Sequence, residues 1–258
     1  MSFGGWMRVL GLSMPLITPG ADIASMILRA SEQVGGIRDR DVIVIASSAL
    51  ATAQGRLKKL TSVKPSLRAK QLAKKSDLEP EFVEIVLREA DKVLGFVKGA
   101  IATLRDGMLC ANAGVDHTNA PLGSVTLMPE KPDQAAEEVL RALKKKVGGH
   151  LGVIIADSHV QPLRLGTVGQ AIGVAGIEPA MDCRGKRDLY GRKLKITFRG
   201  IADQLASAAE VEMGEADERV PAVVIRWAKV EFTDQPKTSV KIPPKRCLFS
   251  GALKLEKK

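Results

Sequence analysis

Residues 151–159 read LGVIIADSH, an apolar run from Leu151 to Ala156 that ends directly in Asp157, Ser158 and His159. A short unbroken apolar run of this kind is a strand buried on both faces, as in a sheet covered by helices. A carboxylate that closes such a strand is held by rigid backbone, where metal and phosphate chemistry is often built. Turn chemistry is the competing account, because Asp also favours loop starts. If the strand continues past Ala156, Asp157 and His159 project to one side.

Other strand-type runs lie at Arg8–Leu12, 41–46 (DVIVIA), 97–104, Met108–Ala111, 194–198 and 222–227. Helical periodicity marks 22–33, with Ile23, Met26, Ile27 and Ala30 on one stripe and Gly35 and Gly36 at its end. A second helix follows Pro65 in the basic stretch 58–75. A third opens at Pro80, with Phe82, Ile85, Val86 and Val93 along one side. Residues 133–147 place Ala136, Val139, Leu140 and Leu143 inward and stop at Gly148 and Gly149, and a further helix spans Ile201–Met213. A Gly-spaced stretch at 166–176 offers small residues for close packing. From Ala228 the chain reads as an irregular basic tail with Pro243 and Pro244.

Strands and helices mix without strict alternation. The fold class expected is α/β (α+β), a mixed β-sheet flanked by helices, rather than a plain doubly wound fold. The expected organisation is one domain over 1–227, or two subdomains within it, followed by a basic tail over 228–258. A chain of 258 residues with 45% hydrophobic content can bury a core without staples. Aromatics are only 3%, so that core is aliphatic.

The three cysteines, Cys110, Cys183 and Cys247, form neither a disulfide framework nor a close-spaced zinc or redox motif. With no apolar run of membrane-spanning length and no signal-peptide pattern at the start, a cytoplasmic location is expected. The net charge of +10 favours anionic partners. Nucleic acid ranks behind small anions among these, because aromatic stacking partners are scarce and no recognition motif is present. The P-loop pattern is absent, and LGTVGQAIG lacks the spacing of a dinucleotide fingerprint.

Two carboxylate loops carry the candidate chemistry: NAGVDHTN over 112–119 and DSH over 157–159. Hard cations such as Mg²⁺ take oxygen ligands, and Asp116, Asp157 and the Ser158 hydroxyl supply them. Glu215, in MGEAD after the last helix, is a further oxygen ligand or an ordinary acidic helix end. His117 and His159 stand beside the two aspartates and bring the acid–base group suited to neutral pH. Space filling is the alternative for His159.

Eight strings occur together: MPLI (14–17), ATAQGR (51–56), EFVEIVLREADKVL (81–94), NAGVDHTN (112–119), VIIADS (153–158), AIGVAG (171–176), DLYGRKLKIT (188–197) and MGEADERVPAVVIR (213–226). In order and approximate spacing they resemble the coenzyme F-420-0: L-glutamate ligase family. The resemblance implies a gamma-glutamyl ligase-like fold forming an intertwined homodimer. It implies a GTP-dependent reaction with Mg²⁺ or Mn²⁺, in which L-glutamate is added to an acidic acceptor. That acceptor is the deazaflavin coenzyme F-420 precursor or another acidic small molecule. By the same resemblance Asp116, Asp157, Ser158 (at a usual Thr position) and Glu215 are metal ligands. Met14, Pro15, Leu16, Ile17, Ser47, Ser48, Asn119, Met213, Gly214 and Glu215 contact the nucleotide.

The chain departs from the family pattern at two places. ATAQGR has Thr52 where the family has a nucleotide-contacting Lys, and Gln54 where it has Glu. After the second Asp the family commonly reads DTxGRxxR, whereas residues 157–164 read DSHVQPLR, without the Gly and first Arg but with Arg164. His159 and Arg164 are therefore the candidate catalytic residues of this altered stretch. The functional alternative is a diverged relative that binds nucleotide or a flavin-like ligand without ligase activity.

Overall fold

The computed structural model describes residues 6–249 and residue 251. In chain order the strands are β1 Arg8–Leu12, β2 Val42–Ala46, β3 Leu57–Lys59, β4 Lys92–Val97, β5 Ala100–Arg105, β6 Met108–Ala111, β7 Ser124–Thr126, β8 Gly152–Val160, β9 Thr167–Ala175, β10 Ala180–Asp182, β11 Phe198–Gly200 and β12 Ala222–Arg226. The helices are α1 Ile23–Ser31, α2 Ser47–Ala53, α3 Leu67–Ser76, α4 Pro80–Glu89, α5 Pro132–Val147 and α6 Ile201–Met213.

The main sheet has five strands in the order β1-β12-β2-β8-β9. β2 and β8 run parallel, with Ala46 opposite Ala156, and the other three pairings are antiparallel. The sheet is mixed, as the irregular sequence of elements predicts. Successive strand residues face opposite sides. On β2, Ile43 and Ile45 enter a core shared with α1 and α5, while Val42 and Val44 enter one shared with α6. On β8, Val153 and Ile155 take the first side, Ile154 and Ala156 the second. Burial on both faces is the reason these strands carry no polar alternation.

The Gly-spaced stretch is the strand β9, and its small residues admit helices from both faces. A Cβ at Gly169 would strike the Ala206 carbonyl on α6, and one at Gly173 would strike Pro132 at the start of α5. The strand also stays apolar enough to close the sheet, with Ala171 and Ile172 buried.

A smaller unit holds α3, α4, the three-stranded sheet β4-β5-β6 and the β3–β7 ribbon, around a core that includes Phe82, Val83, Val86, Ile101 and Val125. Here Val93 departs from the helical stripe expected of it. Ala90 leaves the helix in an extended conformation (φ −86°, ψ 133°), and Val93 pairs with Thr103 across β4 and β5. The run 97–104 is likewise divided, by a turn in which Gly99 takes φ 84°. The strand expected at 194–198 begins only at Phe198, because 194–197 belongs to an exposed arm with no buried face to form against.

Residues after Trp227 lie against the main sheet's second core, through Val230, Phe232 and Val240. Glu178 accepts the backbone N–H groups of Lys237 and Thr238 at 2.9 and 2.7 Å. Among the described residues no helix is long and apolar enough to cross a membrane.

Candidate active site

The carboxyl ends of the parallel pair β2 and β8 lie side by side, and a crevice beyond such ends is where α/β sheets bind ligands. Ser47 follows β2 and begins α2; Asp157 follows the Ala46–Ala156 pair on β8. The Ser47 hydroxyl donates to Asp157 Oδ1. β8 does continue past Ala156, so the next residue, Ser158, stays in strand geometry. Its Oγ lies 2.7 Å from Glu215 Oε1 and 2.9 Å from Glu210 Oε1, and the Thr167 hydroxyl donates to the same Glu215 oxygen at 2.7 Å.

Asp116 enters from the smaller unit. Its N–H donates to the Thr126 carbonyl at 3.0 Å and its carbonyl accepts the Thr126 N–H at 2.8 Å. The preceding residues turn left-handed: Asn112, Ala113 and Gly114 have φ of 52°, 54° and 69°. Left-handed backbone costs a non-glycine residue roughly 1–2 kcal/mol, so two in succession persist only where their surroundings hold them. The bonds that hold them come from β5. Ala113 N–H donates to Thr103 Oγ1 at 2.9 Å, Arg105 Nη1 donates to the Ala113 carbonyl at 3.0 Å, and Ile101 N–H donates to Asn112 Oδ1 at 2.9 Å.

These segments enclose a cavity of about 350 Å³ whose walls include Ser47, Ser48, Asp116, Asn119, Asp157, Ser158 and Met213 to Glu215. A second cavity of about 340 Å³ adjoins it, sharing Ser48, Asn119, Met213 and Gly214 and adding Met14, Pro15, Leu16 and Ile17. All the residues that the family resemblance assigns to metal and nucleotide thus border two neighbouring spaces, drawn from five stretches of the chain. Each space is of a size that suits part of a nucleotide or cofactor. Thr52 lines the second cavity, and so does Arg219, a cation that sequence reasoning passed over within MGEADERVPAVVIR.

His159 and Arg164 stand outside both cavities. Burial lowers the His159 pKa, partly offset by the Asp203 carboxylate. Arg164 is exposed in the turn between β8 and β9, its N–H donating to the Gln161 carbonyl at 3.2 Å. His117 stacks on Phe82 of α4, with ring centroids 4.6 Å apart. Gln54 is taken up by the Glu130 backbone, accepting its N–H at 2.9 Å.

Charge in the cavity is dominated by carboxylates. Burial pushes Asp157 up to about 6, reinforced by Asp116 and Glu215 and opposed by the Ser47 hydrogen bond and the Arg105 guanidinium. Glu210 rises to about 7 through burial and the adjacent Glu215. Burial also acts upward on Glu215, but hydrogen bonds from Glu210, Ser158 and Thr167 outweigh it and hold that carboxyl low. Glu210 was not singled out from the sequence, yet a signal exists. It lies eight and four residues after Ala202 and Ala206, on the stripe of α6 that turns inward, where an acidic residue is unusual.

This donor set fits a hard divalent cation in one respect in particular. Carboxylates crowded around one cavity repel each other, and a cation would relieve that repulsion. Among the described residues no three His, Cys, Asp or Glu side chains stand close enough together to chelate an ion alone. Hard cations such as Mg²⁺ take one or two carboxylates and complete their shell with water and substrate phosphates, so such a site need not be closed by protein side chains alone.

Comparison with known proteins gives a consistent result. The family described as F420-0:Gamma-glutamyl ligase matches residues 11–226. The coenzyme F420:L-glutamate ligase of Methanopyrus kandleri is 46% identical over 217 residues, covering 84% of each chain. That of Methanothermobacter thermautotrophicus is 43% identical over 83% of this chain and 85% of its own. That of Methanocaldococcus jannaschii is 42% identical over 87% and 89%.

Proposed function

The chain belongs to the F420-0:gamma-glutamyl ligase family and is a ligase that adds L-glutamate to the coenzyme F420 precursor; we propose that it does so with GTP and Mg²⁺ or Mn²⁺ at the paired cavities beyond β2 and β8. The observation that carries the proposal is the meeting of Asp116, Asp157, Ser158 and Glu215 around one cavity, beside a second lined by Met14 to Ile17.

Asp116, Asp157, Ser158 and Glu215 would supply oxygens for divalent cations, no more than two of the carboxylates to any one ion, and a bound cation would screen phosphate charge and polarise the phosphoryl oxygens. The chain's own part is positioning. Ser47 orients the Asp157 carboxylate. Glu210 and Thr167 fix Glu215 and, with it, the Ser158 hydroxyl. Met14 to Ile17 and the Met213–Gly214 turn form the wall along which a nucleotide would lie, and Arg219 is a cation available there for its phosphates. Holding acid and amine together at such a wall replaces a collision between two free reactants.

The homodimer is part of the same reading. Its support is the arm over 184–197, on which Leu189, Tyr190 and Ile196 are 101%, 88% and 88% exposed. Apolar side chains so placed are suited to burial against a second copy.

The test incubates the protein with the F420 precursor, L-glutamate, a nucleotide and a metal, and follows glutamylated product and nucleotide hydrolysis by mass spectrometry. Product with GTP, none with ATP alone, and loss on chelation with recovery on adding Mn²⁺ are expected. Equal product with ATP, or product in excess chelator, refutes the corresponding part.

A further inference from the structure

We propose that Thr103 and Arg105 are positioning residues for Asp116: from β5 they clamp the left-handed Asn112–Gly114 turn so that the Asp116 carboxylate is presented to the cavity for its divalent cation. The proposal rests on the reading of Asp116 as a metal ligand. Neither Thr103 nor Arg105 lines the cavity, and both are buried.

The Thr103 hydroxyl uses both of its capacities. It donates to the Cys110 carbonyl at 2.8 Å and accepts the Ala113 N–H at 2.9 Å. Cys110 is its cross-strand partner, so the hydroxyl ties the end of β6 to the turn that follows it. A methyl group in its place leaves a buried N–H unsatisfied inside a strained turn.

Arg105 holds the same turn from its carbonyl side and couples it to a chain of ion pairs. Its Nη2 lies 2.9 Å from Glu89 Oε2, and Arg56 Nη2 lies 3.0 Å from the same oxygen. Arg56 reaches on to Glu130 Oε1 at 3.0 Å and donates through Nε to the Met128 carbonyl at 3.3 Å. Met128 and Glu130 follow β7, and the Asp116 backbone is bonded to Thr126 at the end of β7. One ionic chain therefore braces both sides of Asp116: the turn before it through Arg105, and its partner strand through Arg56.

The experiment uses the full chain with GTP. Mn²⁺ affinity is measured by calorimetry and the exchange of the Ala113 amide by NMR, for wild type, Thr103→Val, Thr103→Ser, Arg105→Lys and Asp116→Asn. Thr103→Val is expected to weaken Mn²⁺ at least fivefold and to speed Ala113 exchange at least tenfold, with metal-free GTP affinity within twofold of wild type. Thr103→Ser, which keeps the hydroxyl, is expected to restore both. Arg105→Lys, which keeps the charge but loses the forked reach, is expected to weaken Mn²⁺ at least threefold even if Thr103→Val does not fold. A lower melting temperature with unchanged Mn²⁺ affinity and unchanged Ala113 exchange would mean that the clamp only stabilises the smaller unit, and it overturns the proposal. Asp116→Asn separates the two ideas. If it abolishes Mn²⁺ binding while Thr103→Val and Arg105→Lys leave it intact, the positioning proposal alone fails. If it leaves Mn²⁺ binding unchanged, the metal reading of Asp116 fails and takes the proposal with it.

Discussion

At Asp157 a half-buried carboxylate faces the charges of Asp116 and Glu215 and has the Ser47 hydroxyl as its donor. Asp157→Asn removes this desolvated charge and keeps an oxygen for Ser47. In chelator at pH 8 the variant is expected to be more stable than wild type by ~1–3 kcal/mol, because each pKa unit of upward shift represents about 1.4 kcal/mol held against the charged form. The same change is expected to lower ligase turnover roughly 100-fold, a loss typical of an electrostatic group at a reacting centre. Urea titration and steady-state kinetics read the two effects, and a variant that is both less stable and fully active contradicts the assignment. Thr52 is the second informative residue. It lies on α2 in the wall of the second cavity, with Arg219 on another wall. A charge-assisted hydrogen bond contributes roughly 1.5–3 kcal/mol, so Thr52→Lys is expected to tighten GTP about tenfold or more by calorimetry. Absence of any gain would indicate that Arg219 already supplies the cation.

Between elements, α3 and α4 are joined through one carboxylate. Glu84 on α4 accepts the N–H of Ser66, the α3 cap, at 3.0 Å and the Nε–H of Arg88 at 2.9 Å. The Ser66 hydrogen bonds first, then Arg88, pull its carboxyl from 4.5 down to about 2. A folded-state value below the unfolded one means that the contribution is complete above about 4.5 and is lost as pH falls towards about 2. Glu84→Gln is therefore expected to be less stable than wild type by ~1.5–3 kcal/mol at pH 7. The two melting curves should converge as the pH is lowered through that window, and a constant gap in calorimetric scans would rule the linkage out. The contact of α6 with β9 is a matter of space instead. Since a Cβ at Gly169 meets the Ala206 backbone, Gly169→Ala is expected to destabilise by ~1–3 kcal/mol, the usual cost of overpacking. Because β9 also carries Thr167, which bonds Glu215, this variant should weaken Mn²⁺ binding as well, readable by calorimetry.

For the whole molecule, the exposed arm over 184–197 makes the assembly state a prediction. Light scattering at micromolar concentration is expected to give twice the chain mass, and Leu189→Ser with Tyr190→Ser is expected to shift it towards the monomer. A monomer mass for the unchanged protein would dispose of the dimer. Local pattern alone determined most of the elements. Short unbroken apolar runs such as 42–46 and 151–156 fit strands buried on both faces, and Ile201–Met213 carries its own periodicity and glycine stop. Family strings supplied the residues around the cavities, because loops that meet a ligand keep their chemistry as well as their spacing. Tertiary structure alone decided the rest. Val93 left its helical stripe because pairing with Thr103 buries it in a sheet. The glycines of 166–176 became a strand because two helices press on it from opposite faces. Thr103, Arg105 and Glu210 act on loops and carboxylates far from them in sequence, and no local pattern encodes which hydroxyl meets which amide. Periodicity is a property of neighbours along the chain, whereas the charge balance at Asp157 and the strain at Ala113 are set by groups that only folding brings within reach.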